Sequence, residues 1–108
     1  MQVKQIESPQ EFEKTIESGV CLVDFKARWC GPCKAQTPII HELAGDFEGS
    51  ATLAELDVSA GRDVASRYGV NSIPTLIVFR DGKEIKRFVG LQPAGVLAGA
   101  INEALAGS

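Results

Sequence analysis

The chain has 108 residues, 44% of them apolar, and a formal net charge of −3, which suits one compact domain with a real core (residues 1–108) and leaves no room for a second. The acidic balance argues against a nucleic-acid surface, since the longest basic cluster, at residues 83–87, is interrupted by Glu84. No stretch approaches the roughly 20 apolar residues of a membrane-spanning helix, and the first seven residues lack a continuous apolar run of signal-peptide type, so the chain reads as soluble and cytoplasmic, or as a mature form whose signal has been removed.

Residues 3–6 form a short alternating stretch. Ser8, Pro9 and Glu11 then supply an N-cap, a proline for the first helical position and a capping-box carboxylate. A helix is expected from 9 to about 17, with Phe12 and Ile16 on its buried stripe and Gly19 closing it. Residues 20–26 are nearly continuously apolar, as in a strand covered on both faces, and read as the centre of a sheet. A second helix follows, with Ile39, Ile40, Leu43 and Phe47 at helical spacing and Pro38 inside it, where a kink is expected. Residues 51–58 are the next strand and 61–68 a short helix that Gly69 can end.

The βαβαβ order so far implies parallel strands. Residues 75–80 are strongly β-forming, Asp81-Gly82 is a hairpin signal, and residues 83–89 return antiparallel, which makes the sheet mixed. Val96, Leu97, Ala100, Ile101, Ala104 and Leu105 trace the apolar face of a last helix. The fold class is therefore α/β, with a central mixed five-stranded sheet flanked by four helices.

Chemistry enters at Trp29-Cys30-Gly31-Pro32-Cys33-Lys34. Two thiols three positions apart at a helix start have Cβ atoms about 5–6 Å apart, within modest adjustment of the roughly 3.8 Å that a disulfide needs. Pro32 fits a first turn, where backbone donors lack intrahelical partners. Cys30 then sits at the positive end of the helix, near Lys34, and should be the more acidic thiol.

The other candidate ligands and nucleophiles are less telling. Cys21 lies in an apolar run and reads as a buried core thiol. His41, the one histidine, stands two turns beyond Cys33 and is expected on a solvated face. Structural zinc lacks a second paired motif, so no metal site is expected.

Taken in order, Val23-Asp24-Phe25, Ala27, the Trp29–Lys34 motif, Pro38, Ile73-Pro74-Thr75, Asp81-Gly82 and Gly90 make the chain similar to the thioredoxin family over nearly its whole length. The resemblance implies the thioredoxin fold and a protein-disulfide reductase activity. Cys30 would attack a substrate disulfide, and Cys33 would resolve the mixed disulfide, leaving Cys30–Cys33 as the redox-active disulfide. It also implies that Asp24 assists deprotonation of Cys33. The apolar setting of Asp24 fits that role independently, because burial raises a carboxyl pKa; the alternative is a side chain facing solvent. Pro74 would be cis and, with Ile73, Trp29 and Gly90, would border a substrate groove. For Trp29 the alternative is core packing, and for Gly90 a plain turn.

Two positions depart from the family pattern. Lys26 stands where an aromatic residue is common; with Arg28 it either lowers the Cys30 pKa or is a solvated strand-end charge. Glu55 stands where many bacterial members have a lysine, and two neighbouring carboxyls should hold a proton on Asp24 to higher pH. Gly31-Pro32 between the cysteines resembles reducing members of the family. The expected activity is thus electron transfer to disulfide-containing proteins by a monomer with no bound cofactor, recharged by a flavoprotein thioredoxin reductase. A disulfide oxidant or isomerase, or a non-catalytic docking module using the same surface, are the alternatives.

Overall fold

The computed structural model describes residues 3–107. Its elements are β1 (Val3–Ile6), α1 (Pro9–Ile16), β2 (Val20–Lys26), α2 (Gly31–Asp46), β3 (Ala51–Asp57), α3 (Arg62–Arg67), β4 (Thr75–Arg80), β5 (Lys83–Val89) and α4 (Ala94–Leu105). The strands form one sheet in the order β1-β3-β2-β4-β5, with β1, β3 and β2 parallel and β4 and β5 antiparallel to their neighbours. This is the expected mixed five-stranded sheet with four helices.

Local chemistry sets the element ends. Ser8 caps α1 through its Oγ, which accepts the Glu11 N–H at 3.1 Å. Glu11 in turn reaches one residue beyond the cap, accepting the Glu7 N–H at 2.9 Å. Asp81 and Gly82 turn β4 into β5 with φ of 50° and 86°, both in the left-handed region that a tight hairpin of this hand requires. The Asp81 carboxylate also accepts the Gly19 N–H at 2.8 Å, tying that hairpin to the entry of β2. Pro38 lies inside α2 without ending it. Just before it, Thr37 Oγ1 donates to the Cys33 carbonyl at 3.1 Å.

Because β2 is central, its side chains alternate between two cores. Val20 and Leu22 join Ile40, Leu43, Leu76, Leu97 and Ile101 beneath α2 and α4. Cys21, Val23 and Phe25 face the opposite side, with Phe12, Ile16, Val64 and Phe79 beneath α1 and α3. Six consecutive β2 residues, 20–25, are buried, the pattern of a strand covered on both faces.

The apolar stripe of α4 is narrower than its sequence suggests. Leu97, Ala100, Ile101 and Ala104 are buried, whereas Val96 and Leu105 are exposed at the margins of the stripe. Ile39 and Phe47 of the second helical pattern are only partly buried.

Phe12 anchors the α1 face, with its ring centroid 5.5 Å from Tyr68 and 5.6 Å from Phe79, both edge-on. Phe12→Ala should lower the unfolding free energy of the oxidised protein by about 3–5 kcal/mol, the range for deleting a buried ring. Chemical denaturation reads this directly, and a loss under ~1 kcal/mol would show that the site collapses around the smaller side chain.

Candidate active site

The cysteine motif forms where β2 ends and α2 begins. Cys30 is the N-cap of α2 in extended conformation, with Gly31 and Pro32 in the first turn. Pro32 therefore occupies a position whose N–H would have no intrahelical partner. Cys30 and Cys33 are joined in a disulfide, with Cα atoms 5.2 Å apart. Cys30 Sγ accepts the Cys33 N–H at 3.1 Å, and a backbone donor aimed at sulfur stabilises a thiolate there. The two sulfurs are not equivalent. Cys30 retains some exposure, while Cys33 is fully buried.

The loop before β4 closes the site from the opposite side. The Ile73–Pro74 peptide bond is cis, and the Ile73 carbonyl lies 3.9 Å from Cys30 Sγ. Ile73 and Val58 both pack against the small cluster of Ala27, Cys30 and Cys33. Gly90 donates its N–H to the Pro74 carbonyl at 2.8 Å and has φ of 96°, which a side chain would strain. This hydrogen bond ties Gly90 to the cis-proline loop. Trp29 is 71% exposed, so core packing does not explain it.

Beneath α2, the parallel register of β2 and β3 sets Asp24 beside Glu55. Both side chains are withdrawn from solvent, Asp24 completely and Glu55 to 5% exposure. Neither carboxyl oxygen of Asp24 has a hydrogen-bond partner among the described residues. Glu55 is well supplied: Oε1 accepts from Gln5 Nε2 at 2.7 Å, and Oε2 lies 3.3 Å from Lys26 Nζ. Lys26 Nζ also donates to Thr37 Oγ1 at 3.1 Å, and Thr37 donates to the Cys33 carbonyl.

Lys26 is therefore not a solvated strand-end charge; it turns under α2 and partners Glu55. A lysine from the neighbouring strand thus supplies positive charge where Glu55 alone would leave two adjacent carboxyls. Burial pushes the Asp24 carboxyl up to about 7; the Glu55 charge adds to the rise and the Lys26 ammonium opposes it.

Sequence reading missed Gln5, Thr37 and Val58. Gln5 shares the alternation of β1 with Val3, and its register opposite Glu55 is the signal that links them. His41 is exposed as expected, but its Nε2 also lies 4.0 Å from Glu55 Oε2. Burial pushes the Cys21 thiol up to about 12, so it is inert as a nucleophile. Among the described residues no group of three or more His, Cys, Asp or Glu could hold a metal ion, and no helix is long and apolar enough to cross a membrane.

Two cysteines bridged across a helix start, the first slightly more exposed than the second, beside a cis-proline loop on a mixed sheet, define a dithiol–disulfide exchange protein. Residues 3–103 match the family model described as Thioredoxin. The chain is 50% identical to the thioredoxins of Staphylococcus epidermidis and Staphylococcus aureus over 95 residues, covering 88% of this chain and 91% of each relative. Among solved structures, a mutant thioredoxin from Halobacterium salinarum superposes with a TM-score of 0.85 at 35% identity, covering 93% of this chain and 88% of that one. Thioredoxin from Malassezia sympodialis gives 0.84 at 29% identity, covering 95% and 93%. The chain belongs to the thioredoxin family, whose members are protein-disulfide oxidoreductases.

The raised Asp24 pKa has a defined effect on stability. Its folded value, about 7, exceeds the unfolded value of about 3.9, so the native state binds the extra proton and its contribution is fully present at low pH. That contribution is lost as pH rises between these values, by on the order of a few kcal/mol in all. Asp24→Asn should remove this part of the pH dependence and be the more stable protein at pH 8. Denaturation midpoints across pH 4–8 would test it, and parallel curves for the two proteins would contradict a buried, proton-holding Asp24.

Proposed function

We propose that the protein is a reductant of protein disulfides, with Cys30 as the attacking and Cys33 as the resolving thiol. The observation that carries this reading is the pair of bridged cysteines at the start of α2, of which Cys30 is the less completely buried. The reduced Cys30 thiolate attacks one sulfur of a substrate disulfide, forming a Cys30–substrate bond and releasing the other substrate sulfur as thiolate. Cys33 then loses its proton and attacks Cys30 Sγ. The second substrate thiolate leaves, and Cys30–Cys33 is oxidised by two electrons.

Asp24 is the proton acceptor for Cys33 in this scheme. It lies on the sheet face covered by α2, whose first turn carries Cys33, and a carboxyl titrating near 7 is matched to proton transfer at neutral pH. Glu55 and Lys26 tune it, the first favouring retention of the proton and the second its release. Ile73, Pro74, Gly90 and Trp29 form the surface on which an extended substrate segment lies, its backbone pairing with the cis-proline loop. Gly31 and Pro32, without a histidine before Cys33, favour the reducing direction.

The Cys30–Cys33 disulfide is the whole redox centre, with no further cofactor. A flavoprotein reductase drawing on a nicotinamide cofactor regenerates the dithiol, and the protein works in the reducing cytoplasm.

Cys33→Ser should still attack substrates and accumulate mixed disulfides resolvable on non-reducing gels, while Cys30→Ser should form none. Asp24→Asn should slow the resolving step by roughly 10²-fold at neutral pH, the lower end for loss of a general base. Turnover by Cys33→Ser at the unmodified rate would contradict the two-thiol scheme. Unchanged partner binding and function in both cysteine variants would instead point to a docking module.

A further inference from the structure

Among the described residues, two polar side chains are withdrawn completely from solvent, Asp24 and Gln36, and the exchange chemistry uses only the first. Gln36 stands one turn beyond Cys33 on α2, in a buried row with Cys33, Ile40 and Leu43. An apolar side chain would fill that row without the cost of burying an amide. The Gln36 amide instead engages both backbone groups of a single residue: Nε2 donates to the Gln92 carbonyl at 3.0 Å, and Oε1 accepts the Gln92 N–H at 2.8 Å.

Gln92 lies in the segment 90–93 that joins β5 to α4 without helix or strand of its own. Its side chain folds back, Nε2 donating to the Gly90 carbonyl at 3.3 Å, and the Gly90 N–H reaches the Pro74 carbonyl at 2.8 Å. The helix that carries Cys33, the β5–α4 segment and the Pro74 loop are thus tied in series. The Ile73 carbonyl, next to Pro74, lies 3.9 Å from Cys30 Sγ, so the far end of the series is at the attacking sulfur.

We infer that Gln36 is a positioning residue for the exchange reaction: its two-point clasp on Gln92 fixes the β5–α4 segment relative to α2, so that a peptide held along Gly90 and the Pro74 loop presents its disulfide in line with Cys30. This rests on the reading of Cys30 as the exchange thiol and of Gly90 and Pro74 as substrate contacts. A loop holds a site less precisely than a helix does, and a small displacement of the bound disulfide slows attack. Gln36 acts through Gln92, so its effect is confined to substrates with a peptide backbone to align.

The test compares an extended peptide disulfide with a small aryl disulfide that has no peptide backbone, each reduced by the fully reduced protein. Gln36→Met keeps the side-chain length and removes both hydrogen bonds. It should lower the rate constant for the peptide about fivefold, as for the net loss of a buried hydrogen bond, while the aryl disulfide reacts as before and the Cys30–Cys33 reduction potential stays unchanged. Amide hydrogen exchange in the unmodified protein adds a measure that needs no variant: the Gln92 N–H should be protected to the level of strand amides. An unchanged peptide rate in folded Gln36→Met, equal losses on both disulfides, a shifted potential, or Gln92 exchange at the rate of an unstructured chain would each overturn the inference while leaving the exchange reading intact. Failure of the unmodified protein to reduce either disulfide would overturn the exchange reading and this inference with it.

Discussion

Everything at this site depends on β2 being covered on both faces. A central strand between two helical layers leaves its side chains no route to water, and six of its seven residues are buried. Five of those six are apolar; the sixth is Asp24. A carboxylate in that position is disfavoured by desolvation, so the neutral acid persists to unusually high pH. The strand that builds the core therefore also holds the proposed proton acceptor, and its C-terminal end leads into the cysteine motif.

The neighbours of Asp24 refine this effect. Glu55 is placed beside it by the β2–β3 register, and two adjacent carboxyls resist simultaneous ionisation. Lys26, two residues along the same face of β2, reaches Glu55 and moderates that repulsion. Thr37 links the same ammonium to the backbone of Cys33. Glu55, Lys26 and the Cys33 backbone are thus linked by hydrogen bonds through Thr37 of α2.

Much of this was legible in the sequence because it rests on local rules. The alternation of β1, the apolar run of β2, the Ser8 cap and the Asp81-Gly82 turn each specify an element without reference to the rest of the chain. The cysteine spacing and Pro32 likewise placed the start of α2. What escaped were relations set by tertiary register. The Lys26–Glu55 pair joins different strands, and its distance exists only once β2 and β3 align. Lys26 consequently read as a strand-end charge. Val96 and Leu105 satisfied the helical period of α4, yet the sheet covers a narrower stripe than the period allows.

Burial of the strand keeps a proton on Asp24 until near-neutral pH. Titrating the Asp24 and Glu55 side-chain carboxyl carbons by NMR tests it most directly. An Asp24 midpoint near 7 is expected. An Asp24 midpoint at about 3.9, the value of an ordinary aspartate, would contradict it.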